Sequence, residues 1–342
     1  ETPITVKSDS SFSCAQIRTE YAVSAAHGNT YLWQEIDAWN AGSTPGSTAF
    51  FSVGSGFDDS TGRYTARGGI YLATTQVILA GIRDGYVRVV VALNAMPDAN
   101  NGLHASNGRP SVGSADFGIA GLLRMEAGDF VSVWVSSVNH DYVVSDQSSF
   151  SCALLDTSSG FGADLGPSQE VTRVGWTEVV GWETSGDAGR AGLFDLDADF
   201  GAGLDSATGR FTASSAGVYI VSSQLRVDGA DTGLFRMLIG LNGAPDHDNG
   251  LHIMESDPSP DYAGLSVSGV VQLDIGSFVS VWVYSQDDIR FTISSQSGFS
   301  CVLLETASGF GADLAASQSV SSSVWTEVVG WETFGTAGRG GL

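Results

Sequence analysis

Residues 149–155 read Ser-Phe-Ser-Cys-Ala-Leu-Leu, and the tripeptide Phe-Ser-Cys inside this stretch occurs three times in the chain. Its copies lie at residues 12–14, 150–152 and 299–301, at intervals of 138 and 149 residues. A segment that returns at intervals of this size is typical of a chain built from repeated structural units. The tripeptide therefore indicates that one domain-sized unit is repeated along the sequence.

A second repeated segment carries two tryptophans that are six residues apart. Its copies are bounded by Trp33 and Trp39, Trp176 and Trp182, and Trp325 and Trp331. Together with further matched pieces, these segments place two complete repeats at residues 31–157 and 174–306. Residues 1–20 match the last strands of a preceding repeat, and residues 323–342 match the first strand of a following one.

The two partial repeats have two interpretations. Either the sequence is an excerpt from a longer array, or the orphan strands pair with strands of neighbouring chains. Strand edges are normally covered or avoided, which favours the excerpt. Under both interpretations the protein is a polymer of units.

The composition argues against several classes of protein. The chain of 342 residues holds 38 acidic and 15 basic residues, a formal net charge of −23. Such a charge repels phosphate backbones and anionic lipid surfaces, so neither nucleic-acid binding nor direct membrane insertion is expected. The 44 glycines and the 42% of hydrophobic residues indicate a globular, β-rich chain instead.

Within each repeat, apolar residues recur with a period of two. Residues 194–200 are an example, because their apolar side chains alternate with Asp195, Asp197 and Asp199. Turn signals such as Asn249-Gly250 separate short runs of this kind. Eight or more short strands in about 130 residues predict an all-β domain, either a β-sandwich or a jelly roll.

Several motifs follow one another in the same order in both repeats. They are Thr-Gly-x-aromatic, then Gly217-Val-Tyr219 in the second repeat, then Gly-Asp-Phe-Val at 128–131, then the closing segment at 149–155. This order resembles the globular head domain of complement C1q, in the C1q/tumour-necrosis-factor superfamily. The resemblance implies tandem ten-stranded jelly rolls that pack as trimers and serve extracellular recognition, signalling or scaffolding. The chain differs from the family at Cys152 and Cys301, where glycine is usual, and at Gly276-Ser277, where Gly-Asp is expected. It also lacks a collagen stalk.

The three cysteines occupy the same position in successive copies. Cys14, Cys152 and Cys301 should therefore lie in separate domain cores. A disulfide requires α-carbons within about 7 Å, so no bridge within the chain is expected. Small buried thiols are the prediction.

A row of carboxylates in the second repeat has two interpretations, a calcium site and a solvated polar face. Its members are Asp195, Asp197, Asp199 and Asp205. Alternate residues of a strand lie about 6.8 Å apart, whereas calcium requires six to eight oxygens at about 2.4 Å. One row alone cannot enclose an ion, which favours the polar face. Calcium is the one cofactor hypothesis.

A loop with Asp, Asn and His side chains beside an Asn-Gly turn occurs in both repeats. Its candidate ligand-binding residues are Asp98, Asn101 and His104 in the first copy, and Asp246, Asp248, Asn249 and His252 in the second. A hairpin connection that needs positive φ explains the same residues without a ligand.

The paired tryptophans also have two interpretations. Residues six apart on one strand share a face, so Trp33 and Trp39 are expected in a core or a subunit interface, with a sugar-stacking platform as the alternative. Trp134 and Trp282 lie inside apolar strands and are expected to be buried.

Catalytic signatures such as Gly-x-Ser-x-Gly and His-Glu-x-x-His are absent from the sequence, so an enzyme is not expected. The first functional hypothesis is an extracellular structural or adhesive repeat protein. Its units would associate with copies of themselves, as a trimer or polymer, into a fibre, filament, coat or matrix. The alternative is a C1q-like recognition module that binds carbohydrate or a cell-surface protein through its loops. Both hypotheses place the protein outside the cell or at the cell surface.

Overall fold

The computed structural model describes the chain in separate segments, and every regular element within them is a β-strand. The described residues are 4–6, 11–15, 22–26, 34–36, 52–53, 56–58, 60–82, 87–94, 97, 102–107, 113–137, 142–145, 148–172, 174–184, 193–196, 203–229, 235–245, 250–255, 262–285, 290–304, 309–314, 318–320 and 331–332. The prediction of an all-β chain is confirmed.

The strands are numbered in chain order. Those up to the end of the first repeat are β1 Ile4–Val6, β2 Ser11–Ala15, β3 Ala22–Ala26, β4 Gln34–Glu35, β5 Ser52–Val53, β6 Phe57–Asp58, β7 Arg63–Ile82, β8 Val87–Leu93, β9 Leu103–Asn107, β10 Gly113–Ser137, β11 Val143–Val144 and β12 Ser149–Leu155. The others are β13 Gly160–Leu165, β14 Gln169–Val171, β15 Gly175–Glu178, β16 Trp182–Glu183, β17 Phe194–Asp195, β18 Gly203–Asp205, β19 Arg210–Thr212, β20 Gly217–Asp228, β21 Phe235–Leu241, β22 Leu251–Glu255, β23 Tyr262–Leu273, β24 Phe278–Ser285, β25 Phe291–Ile293, β26 Gly298–Leu303, β27 Gly309–Leu314, β28 Gln318–Val320 and β29 Trp331–Glu332.

The second repeat contains two antiparallel sheets around one apolar core. In the first sheet β13 pairs with β26, β26 with β20, and β20 with β23. The second sheet has the order β18-β19-β24-β21-β22, with β15 beside β24. Apolar side chains from both sheets form the core, among them Phe161, Phe211, Tyr219, Phe235 and Phe299. This arrangement agrees with the predicted β-sandwich, and the jelly-roll strand order stays a prediction.

The first repeat uses two long strands where the second uses four short ones. β7 and β10 pair along most of their length, with a register irregularity between Ala127 and Phe130. Beyond this irregularity β10 still pairs with β7 at Phe130 and Val131, and it pairs with β8 from Val131 to Ser137. The equivalent strands of the second repeat are separate, β19 and β20 for β7, and β23 and β24 for β10. The core beneath includes Tyr64, Tyr71 and Phe150.

A strand from the connection between the repeats completes each sandwich. β13 lies before the predicted start at residue 174, yet it pairs with β26 and places Phe161 opposite Cys301. In the first repeat β3 pairs with β12 in the equivalent register, with Val23 opposite Cys152. We call β3, β13 and their counterpart β27 the leading strands, and β2, β12 and β26 the closing strands.

The cysteines of the closing strands are structural. Cys152 and Cys301 are fully buried in separate cores, and neither forms a disulfide. Burial raises the pKa of the Cys152 thiol, which keeps it protonated and unreactive. For Cys14, the structure gives its position on β2, opposite Phe310.

Candidate functional site

The two repeats meet in an apolar cluster that is distinct from their main cores. We call it the inter-repeat cluster. The first repeat contributes Ile70, Leu72, Leu122 and Leu155, and the second contributes Phe194, Leu196, Val218, Ile220, Val270, Val302 and Leu304. Burial of apolar surface stabilises the contact at about 25 cal/mol per Å² removed from water.

Equivalent positions of the two repeats meet in this cluster. Val218 and Ile220 of β20 correspond to Ile70 and Leu72 of β7, and Leu304 corresponds to Leu155. The same pattern of apolar residues on the outer face of one sheet is therefore present in both copies. Each repeat therefore has an apolar surface against which another repeat can pack.

Two polar contacts beside the cluster run from the second repeat to the first, and elsewhere Arg88 of the first repeat donates to Gln296 of the second at 3.1 Å. The hydroxyl of Ser222 and the side-chain amide of Gln224, both on β20, donate to the carbonyl oxygen of Ala120 on β10, at 2.5 and 2.9 Å. Both donors are buried, with 1% and 5% of their surface exposed. A buried carbonyl needs such partners, because leaving it unsatisfied costs about 1–3 kcal/mol.

The reciprocal contacts are not made within the described residues. Thr74 and Gln76 occupy the positions of Ser222 and Gln224 in the first repeat, but their side chains bond within that repeat, to Ser151 and to Asp116. Ser268, which occupies the position of Ala120 in the second repeat, is exposed. The polar part of the contact thus joins a donor face, the outer side of β20 or β7, to an acceptor face, the outer side of β23 or β10, whereas the apolar part joins equivalent positions.

The acceptor face of the second repeat is also in contact with leading and closing strands. β10 packs against β13 and β26 of the second repeat, and β23 packs against β27 and β2 in the same way. β27 and β2 are the sequence counterparts of β13 and β26. One mode of contact therefore occurs twice along the described chain.

A narrow cleft follows the contact between the repeats. It is lined by Gly121 and Leu103 from the first repeat and by Asp164, Leu193 and Phe299 from the second. Asp164 is 3% exposed and belongs to the segment Gly-Phe-Gly-Ala-Asp-Leu, which returns at residues 309–314. The cleft is a feature of the interface, and no predicted site residue lines it.

The tryptophans of the second repeat belong to two different sheets. Trp176 is half-buried on β15, with its ring centroid 5.2 Å from that of Tyr284. Trp182 on β16 is fully buried, and its indole donates to the carbonyl of Val179 at 3.0 Å. Trp176 and Trp182 do not share one strand face, because residues 179–181 carry the chain from one sheet to the other. For Trp33 and Trp39 a shared face stays a prediction.

The other predicted aromatic residues are described to different extents. Trp331 lies on β29, opposite Leu314, while Trp33, Trp39 and Trp325 lie outside the described residues. Trp282 is buried and Trp134 is half-buried. Each indole donates to the serine hydroxyl two residues earlier in its strand.

An ion pair that the sequence reasoning missed occurs in both repeats. Arg210 donates to both carboxylate oxygens of Glu178, at 2.8 and 3.1 Å, and its guanidinium lies 4.7 Å from the centroid of the Phe278 ring. Arg63 and Glu35 form the same bidentate pair in the first repeat, with both distances 2.7 Å. The signal was present in the sequence, since Trp-x-Glu and Thr-Gly-Arg are both repeated.

We expect Glu178→Gln to lower the free energy of unfolding of the second repeat by about 1 kcal/mol, because it removes the charge from a bidentate, partly buried pair. Urea denaturation measures this change. Glu126→Gln is the control, because Glu126 pairs with Arg124 at 3.5 Å in an exposed position and its loss should change stability little. Equal effects of the two variants would contradict the prediction.

The predicted loop residues lie at or beyond the edge of the described chain. His104 lies on β9, opposite Val90, and His252 on β22, opposite Leu238. The other candidates, Asp98, Asn101, Asp246, Asp248 and Asn249, lie outside the described residues. The glycines of both Asn-Gly turns have positive φ, 90° at Gly102 and 101° at Gly250, as the hairpin interpretation requires.

The predicted carboxylate row is described at two of its four positions. Asp195 lies on β17, opposite Phe161, while Asp197 and Asp199 lie outside the described residues. Asp205 accepts hydrogen bonds from the Thr208 hydroxyl and the Ala207 amide, which lower its pKa. Asp205 is therefore a turn residue. In the part of the chain that the structure describes, no group of three or more metal-ligating side chains occurs.

The search for helices able to cross a membrane found none among the described residues. Comparisons of the sequence with protein-family models and with curated proteins returned no match.

Proposed function

We propose that this chain is an extracellular, non-enzymatic structural repeat protein whose β-sandwich units associate with further copies into a fibre, filament, coat or matrix. The observation that carries the proposal is the one-way contact from Ser222 and Gln224 to Ala120. The apolar cluster joins equivalent positions, but this polar contact joins Ser222 and Gln224 to the non-equivalent Ala120, so the contact as a whole is asymmetric. An asymmetric contact is heterologous, and heterologous contacts continue from unit to unit until they close a ring or extend as a filament.

Parts of the two faces are exposed in the described chain, beside the strands β2 and β27 that pack against β23. Gln76 is exposed on the donor face of the first repeat, and Ser268 is exposed on the acceptor face of the second. Leu72 and Val270, which border these positions, belong to the inter-repeat cluster. The proposed partner of the chain is therefore another copy of the same chain.

The test is the effect of a charge on the donor face of the first repeat. Gln76→Glu replaces the amide that donates to Asp116 by a carboxylate, which would face Asp116 within the repeat and a carbonyl oxygen of the next copy. We therefore expect assembly to need a protein concentration at least about tenfold higher, equivalent to about 1.4 kcal/mol. Negative-stain electron microscopy and sedimentation velocity across a concentration series measure this shift.

Thr65→Glu is the matched control, because Thr65 is also exposed on β7 but pairs with Phe130 beyond the register irregularity of β10. It adds the same charge and should assemble like the unmodified protein. Discrete particles at every concentration of the unmodified protein would overturn the proposal. Identical assembly of the two variants would overturn the role of the donor face.

A further inference from the structure

Strands β1 and β2 pair with β28 and β27 as the strands of one repeat do. Closing strand β2 pairs with leading strand β27, and Cys14 lies opposite Phe310. In the second repeat Cys301 lies opposite Phe161, which occupies the position of Phe310. The two pairings have the same register.

Two further pairings repeat this agreement. β1 pairs with β28 and places Val6 opposite Gln318, as β25 and β14 place Ile293 opposite Gln169. β27 pairs with β29 in the register that β13 uses with β16. A slip of one residue would reverse every side chain between the faces of the sheet, so agreement in three pairings is specific.

The paired strands come from different copies of the repeat. β2 matches the end of one copy and β27 the start of another, with two complete repeats between them in sequence. The leading strand β27 thus pairs with a closing strand, β2, that belongs to a different copy of the repeat. Backbone hydrogen bonds between strands do not depend on chain connectivity, and the exchange of an identical element between protomers is a low-cost route to assembly.

We infer that chains of this protein are joined head to tail by strand exchange, in which β1 and β2 of one copy pair with β28 and β27 of a second copy. This mechanism rests on the proposed self-association and supplies links made of backbone hydrogen bonds between chains. When both partners belong to one chain, the pairing joins its two ends. Between chains it gives an open polymer, favoured when the protein concentration exceeds the effective concentration of the two ends.

Disulfide trapping of a mixture tests this inference. One chain keeps Cys14, and a second, larger tagged chain carries Phe310→Cys together with Cys14→Ser. Directly opposed residues of antiparallel strands have α-carbons about 4.5–5.5 Å apart, which is within disulfide range. After mild oxidation, non-reducing electrophoresis should show a heterodimer whose share rises with protein concentration.

The control is Gly311→Cys with Cys14→Ser, because residue 311 lies opposite Ser13 rather than Cys14. Its heterodimer yield should be at least about tenfold lower, since disulfide geometry is specific. A chain with Cys14 and Phe310→Cys reports whether the strands still pair. If it forms an internal bridge while the mixture gives no heterodimer, exchange between chains is overturned.

If neither bridge forms, Val6→Cys and Gln318→Cys probe the second pairing in the same two formats. If this second bridge does not form in either format, the pairing of β1 and β2 with β28 and β27 is overturned. The outcome is independent of the Gln76→Glu experiment, because filaments without heterodimers would retain the face contact and refute strand exchange. Heterodimers without an effect of Gln76→Glu on assembly would retain strand exchange and refute the face contact.

Discussion

A Phe161→Ala variant is expected to lose about 3–5 kcal/mol of unfolding free energy in the second repeat. Phe161 is fully buried, and its ring centroid lies 4.9 Å from that of Phe211 and 4.8 Å from that of Phe299. Truncation would remove the transfer free energy of the ring and leave a cavity between the two sheets. Hydrogen exchange followed by mass spectrometry measures the loss in peptides that contain β26.

The first repeat provides an internal reference for this experiment. Protection of β12 should be unchanged, because Phe161 belongs to the core of the second repeat alone. Val174→Ala is the matched control, since Val174 lies in the same connection between the repeats but is 53% exposed, and we expect less than about 0.5 kcal/mol. A Phe161→Ala chain as stable as the control would show that β13 does not complete the second sandwich.

Gly250→Ala is expected to destabilise the second repeat by at least about 3 kcal/mol. Gly250 has φ of 101°, and a β-carbon at this position would lie 2.0 Å from the carbonyl oxygen of Ile239. The backbone of the β21–β22 hairpin would have to move, because the obstructing atom is not a flexible side chain. The midpoint of urea denaturation measures the effect.

Two control glycines separate the clash from the strained φ. Gly276 has φ of 84° but open space around the β-carbon position, so Gly276→Ala should cost about 1 kcal/mol from strain alone. Gly243 has open space and no positive φ, so Gly243→Ala should be nearly neutral. If Gly250→Ala and Gly276→Ala cost the same, the proposed clash does not exist.

The local parts of the fold follow from the sequence because their signals are local. The period-two alternation predicts the strands, and the returning Phe-Ser-Cys predicts a buried closing strand in each copy. Asn-Gly predicts the positive φ found at Gly102 and Gly250. The ion pair between Glu178 and Arg210 could also have been predicted from the sequence, because both residues belong to repeated motifs.

A spacing of six residues places two tryptophans on one face only where a single strand continues between them. Trp176 and Trp182 are separated by a passage between sheets, and period-two reasoning holds only within one strand. The partner of β13 was missed for a related reason. The six residues of β13 do not by themselves predict that their pairing partner is β26, which begins 138 positions later in the chain.

The sequence by itself determined that this protein is an all-β chain of two similar units, with partial copies beside them, and which residues form its closing strands. Only the tertiary structure decided which strands complete which sandwich and that Ser222 and Gln224 meet Ala120 without a reciprocal contact. The physical reason is range. Alternation and turns are set by neighbouring residues, whereas sheet partners and interface direction depend on hydrogen bonds and apolar contacts between residues roughly 100 positions apart or more.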